Sequence, residues 1–219
     1  HPAYTLMAAT PAPAGLDECL LGSLYRDKPL ELVACRSQEL EVPVDAELVV
    51  EGVIDPAAEQ EAIGKIAGPL GYYRRAGKAP VVQVTAITHR VNPILPAIIS
   101  GPPPHELSVI RAATQRFLLP IVKLIVPELV DLALPSYGGA QDVLFVSIHK
   151  TYAQQARRVA SALWGLSWLM TSRYLVVVDA VIDVHDDDQV WRQVAANADP
   201  VSDVFTRQGP TDGWDHAAP

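Results

Sequence analysis

The chain has 219 residues, 49% of them hydrophobic and 19% charged, which supplies ample material for a buried core and excludes a mainly disordered chain. At roughly 100–200 residues per domain, that length corresponds to one large domain or two small ones. Its 17 Lys and Arg against 25 Asp and Glu give a net charge of −8 and argue against a nucleic-acid partner, because phosphate binding needs clustered basic side chains.

In chain order, residues 17–25 predict a short helix, with Asp17 near its start and Leu20, Leu21 and Leu24 on one face. Apolar residues recur at Leu40, Val42, Val44, Ala46, Leu48 and Val50, which predicts a half-buried strand over 40–50, bent near Pro43. Residues 55–71 have no clean period and read as a loop, and the Val/Ile/Thr-rich run 80–89 reads as a strand. Strands with long irregular connections suggest a small barrel or sandwich. Gly101-Pro102-Pro103-Pro104 then marks a domain boundary. Beyond it, residues 106–119 predict a helix, with Val109, Ala112, Ala113, Arg116 and Phe117 spaced by three and four, ended by Pro120. Residues 142–149 predict a strand covered on both faces. Residues 153–170 predict the best helix, with Ala156, Val159, Ala160, Leu163, Trp164, Ser167 and Met170 inward and Gln154, Gln155, Arg157 and Arg158 in water. A strand over 174–179 and a helix over 189–197 complete α/β layering.

Cys19 and Cys35 are the two cysteines, so no disulfide framework is expected and a reducing cytoplasm is the simplest setting. The apolar stretch 118–134 is interrupted by Pro120, Lys123, Pro127, Glu128 and Asp131 and is not expected to span a membrane. His185-Asp186-Asp187-Asp188 could be a metal cluster, but a turn and helix N-cap is the favoured reading. His89-Arg90 and His149-Lys150 close strands and are ambiguous between anion binding and solvated ends, whereas His105-Glu106 reads as a helix start. Gly64-Lys65 lacks the glycine spacing and Ser/Thr of a phosphate loop, and no G-x-S-x-G, C-x-x-C, H-E-x-x-H or G-x-G-x-x-G is present.

The order of segments is more informative than any one motif. Ala9-Thr10-Pro11-Ala12-Pro13, Asp17-Glu18, Leu40-Glu41-Val42-Pro43, Glu51-Gly52 and Gly71-Tyr72-Tyr73 are followed by Thr88-His89-Arg90-Val91-Asn92-Pro93, Pro127-Glu128-Leu129-Val130-Asp131, Val184-His185-Asp186 and Asp199-Pro200. This succession closely resembles the UbiD family of decarboxylases, over essentially the whole chain. The resemblance implies a mixed α+β and α/β fold: a partial, flavin-reductase-like split β-barrel for the cofactor at 1–102 and a C-terminal α/β oligomerisation domain at 103–219. It implies reversible, non-oxidative decarboxylation of an aromatic, heteroaromatic or α,β-unsaturated carboxylic acid with prenylated FMN, a divalent metal such as manganese, and potassium. The expected partners are that small acid and further copies of the chain, as a homodimer or higher oligomer, with no nucleic acid and no membrane span.

Residue by residue, the resemblance makes Glu18 a metal and cofactor ligand and sets Ala9, Thr10 and Pro11 against the cofactor. Without it, Glu18 is a surface residue in a helix's first turn and 9–11 a connector. The family places its metal Asn and His and an Arg upstream of His1, and a cofactor Lys downstream of Pro219, so the chain is expected to be an inactive fragment. The family also places two carboxylates before the Gly-Tyr-Tyr turn, in a pattern like E-G-P-F-G-E, one of which handles the proton. Counting from either side puts the pair at Ala62 and Ala67 or at Ile63 and Gly68, and neither pair is acidic. Glu61 is the nearest candidate for the first acid, with a solvated loop residue as its default reading. The alternative is a non-catalytic binding or oligomerisation module derived from the same fold.

Overall fold

The computed structural model describes residues 1–12, 15–68, 70–74, 77–138, 143–211 and 215. The backbone divides into two compact units, 1–67 with 73–99, and 68–72 with 100–219.

The first unit opens with helices α1 (Pro2–Ala9) and α2 (Glu18–Arg26). Among the described residues eight short strands follow: β1 (Leu32–Ala34), β2 (Glu41–Pro43), β3 (Leu48–Ile54), β4 (Glu61–Ile63), β5 (Ile66–Ala67), β6 (Tyr73–Arg74), β7 (Gly77–Ala79) and β8 (Val82–His89). They pair as antiparallel ribbons β1–β2, β3–β8, β4–β7 and β5–β6, the last three nested one inside the next. Among the described residues these ribbons do not join into a closed barrel.

The strand expected over 40–50 is two strands. Pro43 ends β2, and the turn that follows is closed by Ala46 N–H donating to Pro43 O at 3.1 Å. The expected loop over 55–71 contains β4 and β5, whose two or three residues are too short to display a period; Pro69 lies outside the described residues. The β3–β8 register shifts between Glu51 and Gly52. A Cβ at Gly52 would stand 2.7 Å from Gln83 O, so only glycine fits this bulge.

The second unit contains α3 (Glu106–Ile125), β9 (Leu129–Ala133), β10 (Val143–Ile148), α4 (Gln155–Trp164), β11 (Tyr174–Asp179) and α5 (Asp187–Asn197). Its sheet runs β11–β10–β9, with β10 parallel to β11 across the α4 crossover and antiparallel to β9. Leu144, Val146 and Ile148 of β10 enter a core with Leu118, Val122, Val159 and Leu163. Phe145 points to the opposite face, against Val184 and Val190. This is the two-faced burial that the continuous apolar run predicts; Asp142, at the start of the predicted strand, lies outside the described residues.

Three expectations for this unit are corrected. Pro120 does not end its helix, because it lies on the exposed side and the turns around it are anchored by buried Leu118 and Val122. That helix buries Thr114, Gln115, Leu118 and Val122 rather than the set at 109–117, because β9 packs against it and Gln115 Oε1 accepts the Leu134 N–H at 2.8 Å. The helix over 153–170 stops at Gly165, leaving Ser167 and Met170 exposed, while Gln155 is buried. Gln155 accepts from Thr151 N at 2.7 Å and donates to Glu128 at 3.1 Å, a role its place beside Arg157 and Arg158 does not reveal. Among the described residues no helix is long and apolar enough to cross a membrane.

Candidate functional site

Most of the residues singled out for cofactor and metal binding lie where α1 meets α2. Pro2 opens α1, and His1 Nδ1 accepts the Ala3 N–H at 3.1 Å, supplying the N-cap. The helix ends because Thr10 turns extended, at φ −88° and ψ 114°. Thr10 is buried; its hydroxyl lies 2.6 Å from Leu6 O and 2.8 Å from the Tyr25 hydroxyl of α2. Ala9, the last residue of α1, is exposed and Pro11 is half-buried, so the chain leaves the helix through extended Thr10 on a fixed support.

Helix α2 begins at its predicted cap, where Asp17 Oδ1 accepts the Cys19 N–H at 2.8 Å. Leu21 is buried, but Leu20 and Leu24 are exposed, so the expected three-leucine face is covered at one position. Arg26, in the last turn, is the side chain that the sequence did not single out. Its side chain is 7% exposed, its Nη2 donates to Asp45 Oδ2 at 2.8 Å, and its Nη1 donates to the Tyr4 hydroxyl at 2.5 Å. Tyr4 also donates to Asp45, closing a three-residue knot between α1, α2 and the β2–β3 turn. Burial, with the Asp45 charge, pushes the Tyr4 phenol up to about 12, while the Tyr4 hydrogen bond and Arg26 hold Asp45 below the usual carboxylate range. No spacing rule links positions 4, 26 and 45; only the fold brings them together.

Glu18 is the first residue of α2, exposed, with its carboxylate making no hydrogen bond or ion pair among the described residues. Asp17 is committed to the cap, and no three His, Cys, Asp or Glu among the described residues gather to hold a metal. The donors present therefore supply one hard oxygen ligand and do not complete a metal site.

Glu61 does not join this corner. It sits on exposed β4 opposite Ala79, and the acid-free positions are spread along the same nested hairpin, Ala62 and Ile63 on β4 and Ala67 on β5. The tip is a turn in which Gly68 N donates to Tyr72 O at 2.7 Å. Gly71 has φ +82°, and a Cβ there would meet Pro102 at 2.8 Å. Glu51, part of a matched segment but given no role by the sequence, is 5% exposed and accepts from Arg36 N at 2.9 Å and from Ser37 N and Oγ, both at 2.6 Å. The Ser37 hydroxyl and the Arg36 amide hold its carboxyl below the ordinary range, so Glu51 fastens a loop as an anion.

In the second unit, Asp186 caps α5 by accepting the Gln189 N–H at 3.0 Å, as the cap reading of the acidic run expects. His185 Nε2 lies 3.2 Å from Asp131, whose other oxygen accepts from Arg116 at 2.6 Å. Burial raises the Asp131 carboxyl, but Arg116, the Leu132 N–H and His185 outweigh it and hold the group low. His89 bonds its neighbour's carbonyl and Arg90 pairs with Glu47 at 3.2 Å, which favours the strand-end reading. His105 caps α3.

Comparison with known proteins accounts for the chain from end to end. The 3-octaprenyl-4-hydroxybenzoate carboxy-lyase Rift-related domain (UbiD) matches residues 1–103, and the C-terminal domain of the same carboxy-lyase matches 108–219. An uncharacterized protein of Archaeoglobus fulgidus is 38% identical over 98% of this chain and 45% of its own length. One of Aquifex aeolicus is 38% identical over 99% of this chain and 45% of its own. The chain thus spans about half the length of the curated relatives it matches. Among solved structures, an evolved dimeric form of the UbiD-class enzyme HmfF from Pelotomaculum thermopropionicum, in complex with prFMN, superposes with TM-score 0.81 at 33% identity. That match covers 94% of this chain and 47% of the other. The closed form of Sedimentibacter hydroxybenzoicus vanillic acid decarboxylase gives TM-score 0.92 at 27% identity, over 99% of this chain and 46% of the other.

Proposed function

Because the chain belongs to the UbiD family of carboxy-lyases, we propose that it is part of a reversible, non-oxidative decarboxylase of an aromatic, heteroaromatic or α,β-unsaturated carboxylic acid. The observation that carries this reading is the pair of family matches that tile the chain, together with its likeness to a prFMN-bound UbiD-class enzyme. In this reading 1–102 serves the cofactor and 103–219 serves assembly into a homodimer or higher oligomer. Prenylated FMN, when bound, supplies the electron sink for loss of carbon dioxide. The chain's own part is positional. Thr10, tied to both helices, would fix the backbone of Ala9, Thr10 and Pro11 along the cofactor. Glu18 would give one oxygen ligand to a divalent cation such as manganese, with potassium as a second expected ion.

The same reading makes the isolated chain inactive. Glu61 stands exposed on β4, and positions 62–68 hold no second carboxylate to form an acid–base pair with it. That acid-free stretch is also what favours the second reading, a non-catalytic module of the same lineage. The test is intact-mass spectrometry of the chain co-expressed with a flavin prenyltransferase, followed by labelled carbon dioxide exchange against hydroxybenzoate, cinnamate and furoate. Retained prenylated FMN that is lost in Glu18→Gln, without exchange, is the expected result. Measurable exchange overturns the inactivity, and a chain retaining no flavin supports the module instead.

A further inference from the structure

We propose that the second unit carries a site for a small oxyanion, carboxylate or phosphate, separate from the α1–α2 corner. After α4 ends at Gly165, the chain turns through 165–172 into β11, and the segment 205–211 returns beside it around a cavity of about 260 Å³. Trp164 and Phe205 wall this cavity, edge to face with ring centroids 5.6 Å apart. The Arg207 guanidinium lies over the Trp164 ring at 4.6 Å and donates one hydrogen bond to Trp164 O at 3.3 Å. Neither contact neutralises it. Arg26, Arg90, Arg116, Arg158, Arg173 and Arg192 each meet an Asp or Glu, whereas Arg207, like Arg157 over the Phe205 ring, meets none among the described residues. At the same cavity Arg173 is paired with Asp215.

A second observation points the same way. Ser172 lines the cavity at 6% exposure, and its buried hydroxyl has no hydrogen-bond partner among the described residues. Its backbone is satisfied, the carbonyl accepting Trp164 Nε1 at 2.9 Å and the amide donating to Leu169 O at 3.0 Å, so the hydroxyl alone is left over. Buried hydroxyls in folded proteins are rarely left without a partner. The hydroxyls of Thr171, Thr206 and Thr211, also at the cavity, make no hydrogen bond among the described residues. A guanidinium with no carboxylate partner and a buried hydroxyl with no hydrogen-bond partner among the described residues line the same cavity, a combination that suits an oxyanion rather than a cation. The aromatic walls add room for a small apolar body on a carboxylate.

The test uses the full chain, titrated at constant ionic strength with inorganic phosphate, with benzoate and with chloride, and followed by the Trp164 indole resonance. We expect saturable shifts with phosphate or benzoate and none with chloride; which of the two binds more tightly distinguishes phosphate from carboxylate ligands. Arg207→Gln should weaken binding about tenfold or more and Ser172→Ala a few-fold, while Arg192→Gln, on exposed α5, leaves it unchanged. Shifts no larger than those of chloride, or binding that survives Arg207→Gln, overturn the proposal. Should Arg207→Gln fail to fold, Ser172→Ala carries the decision: undiminished binding in that variant overturns the site.

Discussion

The β3–β8 ribbon and strand β10 are built from the same kinds of residue and end in opposite environments. Leu144, Phe145 and Val146 of β10 are fully buried, while Val50, Val84 and Ile87 of the ribbon are each more than half exposed. Strand β10 has a neighbour on both edges and packed side chains on both faces, so each side chain meets a partner. The ribbon has two strands, and among the described residues no other strand pairs with them. The lesson is that β propensity and apolarity specify a strand, but burial comes from the layers around it. The first unit accordingly depends on polar fastenings, the Tyr4–Arg26–Asp45 knot and the Glu51 clamp, where the second depends on an apolar core.

The sharpest way to break that contrast is a matched pair of truncations. Phe145→Ala should destabilise the second unit by about 3–5 kcal/mol, whereas Val84→Ala on the ribbon should cost less than about 1 kcal/mol. Urea denaturation with unit-resolved hydrogen exchange measures both, and equal losses would erase the distinction. Within the second unit, Gln155→Ala strands the Thr151 amide and takes one donor from the Glu128 carboxylate, which keeps Arg158, and a loss of about 2 kcal/mol is expected by the same method.

In the first unit, Asp45→Asn leaves the Arg26 charge without its carboxylate and should cost about 1–3 kcal/mol. The same substitution should bring the Tyr4 phenol down from about 12 toward its ordinary range, visible by NMR titration of the tyrosine ring carbons. An unchanged Tyr4 titration would mean that the knot does not form. The smallest effect concerns acid. Glu51 is held low in the folded chain, so its stabilisation is complete above the unfolded value of about 4.3 and is lost as pH falls through the folded value. Glu51→Gln should therefore flatten the acid limb of first-unit stability below that pH and leave the second unit's limb unaltered, as followed by hydrogen exchange across a pH series.

Much of this architecture was legible in advance where the signal is local. Asp17 and Asp186 cap their helices as short-range chemistry dictates, and strand β11 falls on the predicted 174–179. The boundaries failed where a distant neighbour decides: Pro120 stays inside a helix because buried residues on both sides hold it, and Gln155 is buried because Glu128 and Thr151 wait for it. At the α1–α2 corner, Glu18 was singled out through an ordered succession of segments and its role stands as a proposal, while the Tyr4–Arg26–Asp45 knot and the Glu51 clamp were not legible, since the partners lie far along the chain.

The sequence by itself determined the lineage, the Asp-capped starts of α2 and α5 and the absence of an acid pair before Gly71, because each is written in adjacent residues or in their order. The tertiary structure alone decided which apolar strands are covered, which charges are compensated and which hydroxyl is left without a partner among the described residues. Those are properties of what stands opposite a side chain across space, and neither composition nor spacing encodes that.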